Sequence, residues 1–98
     1  MDRAVMEQTA EHHGHAVVRG DMDAVVADIA EELHPGVPQV AALLPQPTTN
    51  ADVVALDVQD DHAICEIRYS NEETSITLRS RWEERDGRPL IVEVGPVD

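Results

Sequence analysis

Residues 80–97 read SRWEERDGRPLIVEVGPV. The Asp86-Gly87 pair in the middle suits a two-residue hairpin turn in which both central residues take positive φ, so the chain is expected to fold back on itself there. Upstream, residues 74–85 alternate. Ile76, Leu78, Ser80 and Trp82 fall on one face; Thr77, Arg79, Arg81 and Glu83 fall on the other, the period of a half-buried strand. Downstream, residues 89–94 (PLIVEV) supply the partner strand, and Gly95-Pro96 ends it. One step further back, residues 62–70 (HAICEIRYS) place Ala63, Cys65, Ile67 and Tyr69 on an apolar face and His62, Glu66 and Arg68 on a polar one. Residues 51–58 (ADVVALDV) predict a first strand, apolar on both faces. QDDH and NEE turn the chain between strands, so the C-terminal half is expected to be an antiparallel meander.

The N-terminal half has a different period. Residues 4–18 predict a helix with Val5, Met6, Thr9, Ala10, His13, Ala16 and Val17 on one side, and Glu7, Glu11, Gly14 and His15 on the other. Gly20 ends it, and Asp21 is a good N-cap for the next. That second helix is expected over 22–33. Met22, Val25, Val26, Ile29, Ala30 and Leu33 form its apolar stripe, with Asp23, Asp28, Glu31 and Glu32 opposite. Arg19-Gly20-Asp21 therefore reads as a helix–helix corner, not as a cell-adhesion tripeptide. Pro35 and Gly36 break the second helix. Residues 38–44 predict a short third helix burying Val40, Leu43 and Leu44, and PQPTTN (45–50) a loop. The fold class expected is α+β: three N-terminal helices packed on a curved four-stranded antiparallel meander sheet, in a single domain over 1–98.

Ninety-eight residues bury a modest core, and pairing with a second copy would add to it. The formal net charge is −13, from 20 acidic residues against 7 basic ones, all arginine. Without lysine there is no Schiff-base or P-loop chemistry. No basic groove is available for a phosphate backbone, so no nucleic acid partner is expected. Arginine in place of lysine, with abundant acid, fits a high-GC bacterial genome or a salt-adapted one. The single cysteine, Cys65, precludes an internal disulfide and a cysteine-based zinc cluster. No stretch is long and apolar enough for a membrane span or a signal h-region, so no membrane partner and a cytoplasmic location are expected.

Three features together carry a family resemblance. They are the helix ending in Arg19-Gly20-Asp21, the amphipathic DMDAVVADIAEEL (21–33), and the closing hairpin with Trp82 before Asp86-Gly87 and an apolar strand after it. With them the chain resembles the nuclear transport factor 2-like superfamily, which includes the SnoaL-like polyketide cyclases. The resemblance covers most of the chain. It implies a sheet curved around helices into a cone with a pocket, and pairing of two copies through the outer sheet face. One departure stands out. The strand pair usual between the second and third helices is missing, because Leu33 leads through HPGVPQ straight into the third helix. The cone is therefore expected to be shortened. The superfamily hosts many chemistries, so the fold alone does not fix the function.

The residues expected to line the pocket are the inward-pointing polar groups His13, Cys65, Tyr69, Ser80 and Trp82, with the apolar Met22. His13 as general base and Tyr69 as donor are the only catalytic candidates; no carboxylate faces inward, and Asp57 comes nearest. Cys65 is expected to be a buried, inert thiol. Glu11, His12 and His15 in EHHGH are expected to be solvated surface, because a structural zinc site needs four supported ligands. Glu31 and His34 have the spacing of a di-iron motif but no second copy of it. No metal or cofactor is expected. Ile64, Glu66, Arg68, Arg79, Arg81 and Ile91 are expected on the outer sheet face as a homodimer interface, with Arg79 or Arg81 meeting Glu66 or Glu83 of the partner copy. Three functions stay open: a homodimer binding a small apolar ligand without catalysis; an isomerase, cyclase or hydrolase using His13 and Tyr69; and an acidic module that binds a basic protein such as a toxin.

Overall fold

A computed structural model describes residues 1–97. Helix α1 (Arg3–Arg19) starts at Asp2, whose carboxylate accepts from the amides of Ala4 (2.8 Å) and Val5 (3.2 Å). It ends at Gly20, which takes φ 71°, a left-handed value that glycine adopts without a Cβ clash. The amides of Gly20 and Asp21 return to the carbonyls of Val17 and Ala16, closing the corner. Asp21 then caps α2 (Met22–Ala27) through the amide of Ala24.

The second helix is shorter than the 22–33 its periodicity predicts. It stops at Ala27, and the next residues run beside the sheet as a parallel bridge. The Ile91 amide donates to the Asp28 carbonyl and the Ala30 amide to the Ile91 carbonyl, each at 2.8 Å. Ile29 and Ala30 are buried, as a helix would have made them. The free edge of the last strand, however, offers backbone groups that a helix cannot satisfy, and the chain unwinds to meet them. A 3-10 turn (Glu31–Gly36) runs into α3 (Val37–Ala41), with no strand between. Val40 and Leu44 pack on the core, whereas Leu43, expected inside, is 44% exposed.

Strands β1 (Asn50–Val58), β2 (His62–Ser70), β3 (Ser75–Arg85) and β4 (Arg88–Pro96) form one antiparallel sheet in the order β1-β2-β3-β4. The sheet is an open meander. The turn between β3 and β4 has φ 53° at Asp86 and 83° at Gly87, as the Asp-Gly pair predicts. On the inner face the rungs are Tyr69–Ile76, Ile67–Leu78, Cys65–Ser80 and Ala63–Trp82. A bulge between Arg81 and Trp82 shifts the register against β4, so that Trp82 pairs with Ile91. Strict alternation places Ile91 outside; the bulge turns it in, and it is only 2% exposed. A second bulge, between Val53 and Ala55, settles the ambiguous first strand: Ala51, Val53, Leu56 and Val58 pack on the core, while Val54 and Asp57 face solvent.

Helix α1 lies across β1 and β2. Met6, Ala10, His13 and Ala16 are buried as expected, but Val5 is about half exposed and Gly14, expected outside, is buried. A Cβ at Gly14 would lie 3.1 Å from the Ala51 Cβ, so helix and strand approach more closely there than a side chain allows. Trp82 is fully buried beneath α1, its ring edge-on to His13 at 5.6 Å.

Candidate functional site

A cavity of about 340 Å³ lies between the inner sheet face, the second half of α1, and the segment from α3 to Thr48. Its floor is three rungs of β2 and β3, represented by Tyr69, Ile67 with Leu78, and Ser80. Val17, Val25, Val40 and Leu44 make its walls apolar. Its rim carries Arg19, Gly20, Met22 and Gln46, all exposed. The loop at the rim is tied down at both ends: Thr48 Oγ1 donates to the Pro45 carbonyl (2.8 Å), and Asn71 Nδ2 donates to the Pro47 carbonyl (2.9 Å).

Of the residues expected to line the pocket, His13, Met22, Tyr69 and Ser80 do so. Cys65 and Trp82 do not; both are fully buried behind the lining. Trp82 supports it instead, its indole N–H donating to Ser80 Oγ at 2.9 Å. Ile91, expected at an interface, is one of the lining residues. Met22 sits at the rim, 47% exposed.

His13 is held by a group the sequence reading placed on the outer helix face. Asp28 Oδ2 lies 2.9 Å from His13 Nδ1, and Asp28 Oδ1 accepts from Arg88 Nη2 at 2.6 Å. The Asp28 carboxylate accepts at Nδ1, so the imidazole tautomer that this contact selects carries its hydrogen there and presents Nε2 as an acceptor. Asp28 comes into reach because α2 ends just before it. The signal in the sequence is an acid set inside an apolar run, VVADIA (25–30), which a continuous helix explains away as one polar face. Arg88 enters from the far side of the Asp86-Gly87 turn, and no local pattern marks it.

Two buried residues that line the cavity carry a polar side-chain atom with no protein partner among the described residues: His13, at Nε2, and Tyr69, at its hydroxyl. Neither is sealed off, because no fully buried side-chain nitrogen or oxygen among the described residues lacks a hydrogen bond. Both residues are otherwise buried, at 7% and 3% exposure, so the cavity is their outlet. Burial, with Cys65 beside it, pushes the Tyr69 phenol above its ordinary range, and it stays an O–H donor. Burial, then the charge of Glu66, pushes the Cys65 thiol up to about 11, so it is inert at neutral pH.

The outer sheet face is open. Ile64, Glu66 and Arg81 are half-buried there, and Arg68 and Arg79 are exposed. Two of these three arginines pair within the chain: Arg79 bonds Glu66 (2.9 Å) and Arg81 bonds Glu83 (2.9 Å). Among the described residues no three His, Cys, Asp or Glu side chains converge to hold a metal, and Glu11, His12 and His15 are all exposed. His34 Nε2 instead bonds the Ile29 carbonyl at 2.8 Å. Among the described residues no helix is long and apolar enough to cross a membrane. Comparison of the chain with protein-family models, curated proteins and solved structures gives no match.

Proposed function

We propose that the domain binds a small, mostly apolar ligand in the cavity beneath α1, as a homodimer paired through the outer sheet face. The observation that carries the reading is the cavity itself. Its size is at the lower end for small-molecule sites, and its lining is apolar with a few polar groups, the usual composition of such a site. A core this small keeps a cavity at a cost in lost packing, which a resident ligand offsets. The element order and the missing strand pair agree with a shortened nuclear transport factor 2-like member, and a lone reduced thiol agrees with a cytoplasmic setting. Trp82, the only tryptophan, touches His13 and so reports on the cavity. Titration with para-butylphenol is expected to change its emission saturably and to raise the melting temperature. No change in either, at concentrations up to the probe's solubility, would refute the reading.

The His13–Asp28 pair favours a second reading, an isomerase, cyclase or hydrolase. The carboxylate fixes the imidazole so that Nε2 can take a proton from a bound substrate, while the Tyr69 O–H stabilises developing negative charge. A turnover assay over enolisable ketones and epoxides tests it. Asp28→Asn should lower any rate found far more than it lowers ligand affinity.

A further inference from the structure

The two polar residues reach the cavity beside different rungs of its floor: Tyr69 belongs to one, and His13 lies against Trp82, whose N–H bonds Ser80 of another. Tyr69 pairs with Ile76. Ser80, next to the Trp82–His13 contact, is four residues further along β3, which is about 13 Å at roughly 3.3 Å per strand residue. Between them lies the Ile67–Leu78 rung, wholly apolar. Tyr69 offers a donor, and His13 Nε2, with Nδ1 committed to Asp28, offers an acceptor. Neither end favours a charge. Among the described residues no carboxylate lines the cavity, and the one arginine that does, Arg19, stands at the rim with its side chain 59% exposed, 3.7 Å from Asp21. An ion carried inside would go uncompensated.

Resting on the ligand-binding reading, we propose that the site takes a neutral, elongated ligand with an apolar middle and a hydrogen-bonding group at each end: a hydroxyl that donates to His13 Nε2 and a carbonyl that accepts from the Tyr69 O–H. A ligand lacking one of these groups leaves a buried polar atom without a partner, and that penalty is the basis of selectivity.

The test is a matched series titrated against the whole chain, read by Trp82 emission and by the chemical shifts of the Tyr69 and Ile67 amides. The probes are butylbenzene, para-butylphenol, benzylacetone, para-hydroxybenzylacetone and the anion para-hydroxyphenylpropionate. Para-hydroxybenzylacetone is expected to bind at least tenfold more tightly than butylbenzene and than the anion, with the two single-group probes between. Tyr69→Phe should erase the advantage of the ketone and leave that of the hydroxyl; His13→Leu should do the reverse. Equal affinities across the neutral probes, or a ketone advantage that survives Tyr69→Phe, would overturn the proposal while leaving apolar ligand binding intact. Tightest binding by the anion would overturn the neutral class. Binding by none of the probes would remove the ligand-binding reading and this inference with it.

Discussion

Trp82 shows how far a single side chain reaches. Its ring is fully buried, its N–H is satisfied by Ser80, and it meets the His13 ring at a right angle beside the cavity. We predict that Trp82→Ala costs on the order of 3–5 kcal/mol, the usual price of a large aromatic lost from a core. Coinciding far-UV melts of variant and parent would contradict the inward assignment of Ser80 and Trp82. A second prediction follows from Cys65, whose thiol burial raises from 9.0 to about 11. The folded chain keeps that proton where the unfolded chain has lost it, so this thiol leaves stability unchanged below about pH 9 and lowers it as pH rises from there toward 11. The Tyr69 phenol, also raised, extends the loss to still higher pH. Denaturant midpoints across this range check it, and Cys65→Ala should flatten the first part of the decline. At this scale the site was half legible. His13, Tyr69 and Ser80 follow from strict periodicity. Asp28 and Arg88 do not, because their meeting depends on where a helix stops and where a hairpin swings.

That stopping point is the decisive event among the elements. Periodicity identified all four strands, the Asp86-Gly87 turn and the Gly20 corner, because each is fixed by local chemistry over a few residues. It failed at Asp28–Ala30, where burial is the same for a helix and for a bridge and only the long-range partner Ile91 decides between them. It failed again at Ile91, where one bulge inverts the strand's facing. The bridge gives a clean test. Ala30 already sits at φ −56°, a value proline adopts, so Ala30→Pro removes the N–H that bonds the Ile91 carbonyl without forcing that angle. We predict a loss of about 1–3 kcal/mol, the cost of a buried acceptor left unpaired. Arg88 should also become mobile in side-chain NMR as its hold on Asp28 loosens. An unchanged midpoint would mean that the bridge contributes nothing and that α2 ends for another reason.

The whole molecule carries a contradiction between charge and assembly. A net charge of −13 on 98 residues should hold copies apart. Yet on the outer face of β2, β3 and β4, Glu66, Glu83 and Glu93 are matched by Arg68, Arg79 and Arg81, so this patch is locally neutral. It is where a second copy meets the least repulsion. The radius of gyration, 12.5 Å, equals the ~12.6 Å expected for a compact chain of this length. A dimer here therefore adds to a complete fold and exchanges no element. The intrachain pairs Arg79–Glu66 and Arg81–Glu83 already satisfy the patch, so the proposed association would rest on Ile64, on the arginine stems and on re-sharing these ion pairs across a two-fold axis. Salt then has two opposed effects. It screens the long-range repulsion of two acidic bodies, and it weakens the exposed pairs much less because their charges lie well inside a Debye length of roughly 8–10 Å. We predict a dimer that is held or tightened as salt rises from low to physiological, measured as mass by light scattering over a concentration series. Arg79→Glu, which breaks the local neutrality by two charges, should shift the equilibrium to monomer. A monomeric mass at every salt and concentration would exclude the dimer; an Arg79→Glu variant with the parent's mass would exclude this face.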